Sequence, residues 1–417
     1  MSKEIIIIGG GVVGLSTAYF ALQKGHKVTV IERSGAGRDG CSFGNAGMIV
    51  PSHFIPLAAP GMIQLGLKWM WNPESPFYIK PRLNRELIAW GWNFMRSATR
   101  QHVACAAPLL RDLSLASRTL FEELSEKFGD KFGLVKQGLL MLCKTQHALD
   151  DEAKVAVMAR ELGIPAEVLD ARQTSAQDPA VRMDVLGSVY FPKDCHLNPA
   201  RFLQTLQTAC EKAGVKFQWD TEVTGWRIEN NQAKAVRTAA GEFTADEFVL
   251  CGGVWSSSVA HDLGLSIPMQ AGKGYSLTLP HPRQIPAVCA IFCEARVAVT
   301  PMNGSLRFGG TMEIAGLNNK ITPRRVQGII KAVPQYYPEF QTGDFVDIRP
   351  WQGLRPCSPD GMPYLGRTKK FVNLSIATGH AMMGLSLAPI TGKLMSQVLS
   401  DEKPEIDLAM LSPDRFA

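Results

Sequence analysis

Four consecutive isoleucines, Ile5–Ile8, run directly into Gly9, Gly10, Gly11, Val12, Val13 and Gly14, and this G-x-G-x-x-G turn constrains the fold more than any other stretch. Its weight comes from its flanks, since glycine patterns recur by chance in a chain with 38 Gly. Lys3–Ile8 reads as a parallel strand buried on both faces, because a strand with one solvated face would alternate. From Gly14 the apolar residues Leu15, Ala18, Tyr19 and Leu22 recur at helical spacing up to Gly25, a C-terminal cap, and Lys27–Ile31 reads as a second strand. The glycines permit a tight turn and close approach of the backbone, with Val12 and Val13 opening a helix whose N-terminus attracts a pyrophosphate. Glu32, followed by Arg33, ends the second strand, accepts from ribose hydroxyls and disfavours the 2′-phosphate of NADP. The chain therefore holds a dinucleotide.

A length of 417 residues exceeds one ordinary core and predicts two domains. With 46% apolar and 20% charged residues the chain is globular. Its nine Cys are scattered, odd in number and without a C-x-x-C pair, so neither a disulfide framework nor a metal site is expected. A reducing, cytoplasmic location fits, with no signal peptide ahead of the first strand. A net charge of +6 with no long basic run argues against nucleic acid as partner.

After Glu32 an NAD domain would continue with further βα units, whereas Ser34–Gly47 is rich in glycine and small polar residues, which favours FAD. Within Cys41–Gly47 the glycines allow backbone contact, Ser42 and Asn45 offer hydrogen bonds, and Ala46 and Gly47 complete the segment. A helix capped by Asn198-Pro199 runs to about Ala213. Strands follow at Lys216–Trp219, at Glu222–Trp226 with Val223 toward the nucleotide, and at Glu247–Cys251, which leads into Gly252 and Trp255. Near the C-terminus the strand Val372–Ala377 ends in Thr378-Gly379-His380, and after Gly384 a helix is expected to begin near Leu385. Its N-terminus would bring partial positive charge to a flavin. Short strands at Gly138–Cys143, Ser188–Phe191, Tyr275–Leu279, Val297–Thr300 and Leu306–Thr311 predict a second, mixed sheet.

The glycine turn, Ser42–Gly47, Ala58-Ala59-Pro60-Gly61, Lys273-Gly274-Tyr275-Ser276-Leu277-Thr278, Gly353-Leu354-Arg355-Pro356 with Pro359-Asp360-Gly361, and Thr378-Gly379-His380 together resemble the FAD-dependent D-amino-acid oxidase superfamily, particularly bacterial D-amino-acid dehydrogenase small subunits and related hydroxyproline-pathway enzymes. The resemblance runs nearly end to end. It implies an α/β and α+β fold in which residues 1–52, 196–268 and 347–417 form a discontinuous Rossmann-like FAD-binding domain, and 53–195 and 269–346 a mixed-sheet substrate domain. It also implies noncovalent FAD and dehydrogenation of a small neutral D-amino acid or cyclic imino acid at Cα, with D-alanine, D-proline or cis-4-hydroxy-D-proline as candidates. A glycine or sarcosine oxidase using oxygen is the enzymatic alternative, and a noncatalytic electron-transferring subunit the alternative of another class.

Such chemistry needs an anchor for the carboxylate and a neutral amine held with its Cα–H toward the flavin. Arg355 is the leading anchor, because a guanidinium pairs with a carboxylate through two parallel hydrogen bonds; a structural ion pair is the other reading of the same residue. Tyr275 offers a hydroxyl to the same carboxylate or is simply packed in its strand. His53 and His380 are candidate acceptors for the ammonium proton, or braces for their loops. Lys273 and Glu313 are ambiguous, and Cys357 reads as a small buried residue rather than a covalent flavin link.

Residues 56–96 hold Trp69, Trp71, Trp90 and Trp92, four of the eight Trp, interleaved with Lys68, Lys80, Arg82 and Arg85. Amphipathic aromatics with cations suit peripheral contact with the inner face of the plasma membrane, where a respiratory quinone accepts electrons; an active-site lid is the equal alternative.

Overall fold

In the computed structural model of the chain, residues 1–70, 74–82 and 84–417 are described, the side chains of 67–70 excepted. Among these residues the isoleucine run forms the strand Glu4–Ile8 at the middle of a six-stranded sheet. It pairs in parallel with Lys27–Ile31 on one side and Glu247–Leu250 on the other. Lys216–Gln218 lies beyond the first, and Leu374–Thr378 beyond the second, with antiparallel Tyr364–Arg367 at the edge. Both faces are covered, which is why the run does not alternate. Ile5 and Ile7 meet Leu15 and Ala18 of the helix Val12–Gln23 and Ile390 and Leu394 of the helix Ala388–Leu399, while Ile6 and Ile8 share a core with Trp226, Phe248 and Leu263. Each such burial contributes about 1.5–3 kcal/mol.

The first helix stops where glycine was expected to stop it, since Gly25 takes φ +82°. Asn198 caps the helix Pro199–Lys212, its side chain accepting the Arg201 N–H.

The second sheet is mixed and nine-stranded. Gln270–Leu279 lies between Trp351–Cys357 and Ser305–Ile314, followed by Val297–Met302, Cys289–Phe292, Leu139–Cys143, Gly187–Phe191 and Glu167–Asp170. Phe77–Ile79 pairs with the C-terminal end of Ser305–Ile314. The chain passes from this sheet to the six-stranded one between Cys357 and Tyr364, so the segment expected to start at 347 begins with a strand of the second sheet.

One element differs from expectation in a way that bears on the site. The helix expected near Leu385 starts at Ala388, because Ala381 takes φ +48° and Ala381–Met383 closes a 3-10 turn first. Pro389 then occupies the first helical turn, where its missing N–H leaves no bond unmade. The positive helix end is displaced accordingly.

Candidate functional site

The glycine turn is fixed by close approaches that admit no side chain. Gly9 takes φ +111°, and a Cβ there would lie 2.5 Å from the Cys251 carbonyl oxygen; one on Gly14 would lie 1.9 Å from the Gly9 oxygen. Gly11 differs. Only Ser42 Oγ lies near its missing Cβ, at 3.7 Å, and the space beyond it is a cavity of about 430 Å³. The N-cap Gly11 offers no side chain to the helix that follows; the Val12 N–H donates to Ser42 Oγ at 3.2 Å, and Gly11, Val12, Val13 and Ser42 all line the cavity. Glu32 shapes the turn as well as lining the cavity: Oε2 accepts the Gly10 N–H at 2.7 Å and Oε1 the Ser34 N–H at 3.0 Å.

Of the cofactor-binding candidates, Gly9, Gly11, Val12, Val13, Glu32, Arg33, Ser42, Asn45, Val223, Gly252, Trp255, Gly384 and Leu385 line the cavity. Arg33 lies over the Trp255 ring at 3.6 Å, a cation–π contact between two lining residues. Gly14, Ala46, Gly47 and Gly379 stand outside the lining. Gly14 serves helix–strand packing. Gly47 at φ +81° packs on the Leu197 carbonyl and Gly379 at φ +78° on the Tyr364 ring, and the Ala46 methyl sits beside Gly309. Arg38, absent from the sequence candidates, donates from Nε and Nη2 to the Gly10 carbonyl at 3.0 and 2.6 Å and lies over the Trp219 ring at 4.5 Å. A side-chain-free turn, a helix N-terminus lining the cavity and an acid at the adjoining strand end suit the diphosphate and ribose of FAD.

Arg355 and His380 also line the cavity, their neighbourhoods joined by the β-bridge between Cys357 and His380. The Arg355 guanidinium crosses the flat backbone of Gly274, where a Cβ would come within 2.1 Å of Nη1. Nη1 donates to the Thr311 carbonyl at 2.7 Å. That carbonyl is aimed by a β-bulge: between the pairs Lys273↔Glu313 and Tyr275↔Gly310 the partner strand carries one extra residue, and Thr311 takes φ +70°. Arg355 forms no ion pair with any described carboxylate, so the structural ion-pair alternative is not what holds it. Cys41, also in the lining, is close enough to feel its charge.

Tyr275 is fully buried and points elsewhere. Its hydroxyl donates to Glu313 Oε2 at 2.6 Å and accepts the Thr322 N–H, and burial with Glu313 pushes its pKa up to about 12. Lys273, buried, approaches Glu313 at 3.8 Å and donates to Asn318 Oδ1 and the Lys320 carbonyl. These residues brace the bulge from behind. His380 is 3% exposed, its Nε2 2.9 Å from Thr391 Oγ1, and burial pushes its pKa down to about 4. His53 stands outside the lining, its Nδ1 3.0 Å from Ser52 Oγ; burial and Arg296 hold it at about 4. Ser52 in turn donates to Asp194, a buried acid raised to about 7. Both imidazoles are neutral at pH 7. Cys357 is buried against Met312, outside the cavity lining.

Trp90 is buried and its Nε1 donates to the Cys357 carbonyl at 2.9 Å, while Trp92 is 59% exposed. On their helix, Arg85–Ser97, Leu87, Trp90 and Phe94 face inward, and Ile88, Trp92 and Met95 are exposed. Trp71 lies outside the described residues, as do the side chains of Lys68 and Trp69. Among the described residues no helix is long and apolar enough to cross a membrane.

Comparison with known proteins identifies the family. The sequence profile of the family described as FAD dependent oxidoreductase matches residues 4–398. The chain is 31% identical to D-amino acid dehydrogenase of Bradyrhizobium diazoefficiens, covering 99% of each, and 32% identical to D-amino acid dehydrogenase of Vibrio atlanticus, covering 99% of this chain and 100% of the relative. Among solved structures, glycine oxidase from Geobacillus kaustophilus superposes with a TM-score of 0.79 at 23% identity, over 100% of this chain and 99% of that one. L-proline dehydrogenase from P. horikoshii superposes with a TM-score of 0.74 at 19% identity, over 100% and 98%; these two likenesses establish the fold. A glycine turn opening onto a cavity, a Rossmann-like parallel sheet beside a mixed one, and a family match across nearly the whole chain place this protein among the FAD dependent oxidoreductases.

Proposed function

We propose that the enzyme dehydrogenates a small neutral D-amino acid, of the D-alanine, D-proline or cis-4-hydroxy-D-proline type, at its α-carbon. The observation that carries this reading is Arg355: a residue of the cavity lining whose guanidinium is oriented by a backbone carbonyl and has no carboxylate partner among the described residues. Arg355 takes the substrate carboxylate through its remaining N–H groups. FAD, which the glycine turn, Glu32 and Ser42 would hold, would supply the acceptor for the α-hydrogen and its electron pair. His380 lines the same cavity as a neutral group, and with its affinity for protons lowered by burial it leaves the ammonium proton to water. The resulting imino acid hydrolyses to a 2-oxo acid, or remains a cyclic imine.

The names of the curated relatives support the D-amino-acid class. In this reading residues 1–52, 196–268 and the part of 347–417 beyond Cys357 hold the cofactor, while the strand Trp351–Cys357, which carries Arg355 and belongs to the nine-stranded sheet, covers the substrate with the remainder. Electrons leave to a respiratory quinone at the inner face of the plasma membrane, a role supported by the exposed Ile88, Trp92 and Met95 beside Arg85 and Arg96. Anaerobic mixing of the yellow holoenzyme with a panel of D- and L-amino acids tests the core of the proposal. Bleaching by small D-amino acids is expected; bleaching by glycine or L-proline alone, or by none, sinks it. Stoichiometric peroxide formation without stimulation by quinone analogues would assign oxygen as acceptor.

A further inference from the structure

One wall of the cofactor cavity, residues 39–47, is gripped from the nine-stranded sheet, away from the sheet that carries the glycine turn. Three adjacent strands reach it. From Ser305–Ile314, Arg307 donates through Nη1 to the carbonyls of Asn45 at 2.7 Å and Phe43 at 3.2 Å, while its Nε donates to Thr278 Oγ1 at 3.0 Å. From Gln270–Leu279, the Ser276 hydroxyl donates to the Gly44 carbonyl at 3.1 Å. From Trp351–Cys357, the Trp351 indole N–H donates to Asp39 Oδ1 at 2.7 Å, and its ring presses on Gly44 so closely that a Cβ there would fall 2.1 Å away.

Phe43, Asn45 and Ser42 line the cavity, whereas Arg307 and Trp351 do not. The grip matters because Ser42 Oγ meets the Val12 N–H at the start of the first helix, so the position of the loop sets how the helix amides meet a diphosphate. Arg307 has no ion-pair partner among the described carboxylates, and burial lowers its pKa to about 10, which leaves it charged at neutral pH. Charge-assisted donation to carbonyls is what holds it.

We propose that Arg307 and Trp351 are positioning residues for the cofactor: they clamp loop 39–47 to the nine-stranded sheet, and the affinity for FAD is thereby set by residues that never touch it. The inference rests on FAD occupying the cavity. It is tested by stripping the holoenzyme of flavin, titrating FAD back by fluorescence quenching, and following tryptic cleavage after Arg38 in the apo form. Arg307→Met should weaken FAD binding about 10- to 100-fold and speed that cleavage, with the thermal midpoint of the apo-protein unchanged. Trp351→Phe, which removes only the donor to Asp39 and trims the ring, should weaken binding by about tenfold or less. Arg307→Lys should restore part of the affinity.

Wild-type FAD affinity in both Arg307→Met and Trp351→Phe overturns the proposal. So does a loss of affinity that comes with a lowered apo midpoint and cleavage throughout the chain, since that is general destabilisation. If Arg307→Met fails to fold, Trp351→Phe decides alone, and wild-type affinity there is refuting. Failure of the wild-type apo-protein to take up FAD would instead strike the cofactor reading itself.

Discussion

Replacing Gly274 with alanine should unseat Arg355 while leaving the cofactor in place. Gly274 has no positive φ, so alanine is acceptable to the backbone, and the residue does not line the cavity. The new methyl would lie 2.1 Å from Arg355 Nη1, 2.3 Å from Nη2 and 2.4 Å from Cζ, where ordinary contact needs about 3.4 Å or more. The guanidinium must therefore lift by about 1 Å or more, and the 2.7 Å bond from Nη1 to the Thr311 carbonyl cannot survive that displacement. Because the obstructed atoms are the free end of a flexible side chain, the change falls on Arg355 geometry rather than on folding. Hydrogen bonds to a charged group contribute about 1.5–3 kcal/mol each, so misplacing one substrate contact should lower kcat/KM by about 10- to 100-fold. Stopped-flow flavin reduction under anaerobic conditions measures the loss, and the flavin absorbance per chain measures cofactor content. Normal reduction kinetics would refute the argument that Gly274 seats the anchor; loss of FAD would refute the separation of the anchor from the cofactor site.

Arg355→Ala should cripple flavin reduction by about 10²- to 10⁴-fold with FAD content nearly normal, and Arg355→Lys should recover only part, which substrate titration of the reduction rate resolves. Gly11→Leu should yield folded protein that purifies colourless, because the side chain would fill the space open to the diphosphate; a yellow variant with wild-type FAD content would exclude that placement. His380 is neutral in the fold with a pKa near 4 against 6.5 in the unfolded chain, so the unfolded state binds the extra proton between those values: stability is intact above about pH 6.5 and falls by about 3 kcal/mol as pH drops to 4. His380→Gln should accordingly move the acid-unfolding midpoint, followed by circular dichroism, to lower pH.

Much of the cofactor half was legible because local chemistry dictates it. Four apolar residues without alternation, a glycine turn and a terminal acid leave few folds open, and Asn198-Pro199 and Gly25 mark helix ends by capping alone. The site beyond the turn was harder to read. Arg38, Arg307 and Trp351 carry no local signal, since their partners are distant in sequence, as from Arg307 to Asn45. Tyr275 was placed on the right strand, yet which face its hydroxyl serves depends on the bulge opposite, and a bulge at Thr311 follows from strand pairing rather than from any turn residue. The helix Arg100–Phe128 was not anticipated, because Pro108 interrupts it and its buried stripe mixes Ala106, Leu110, Leu113 and Phe121 with Ser114 and Ser117. The shifted start at Ala388 reflects the left-handed Ala381, which helix propensity cannot foresee.

The guanidinium of Arg355, without an ion-pair partner among the described residues, also has a consequence for the resting enzyme. A cation oriented by a neutral carbonyl on a residue that lines a cavity would serve as a general receptor for small monocarboxylates. If Arg355 anchors the substrate as proposed, a 2-oxo acid product, in which a carbonyl oxygen replaces the α-hydrogen and the amine, keeps its carboxylate and remains a ligand for the same group. Product inhibition competitive with substrate is therefore expected, shared by acetate and formate at higher concentration and weakened by salt; initial rates measured against added pyruvate and acetate would expose it, and purely noncompetitive patterns would place the carboxylate elsewhere.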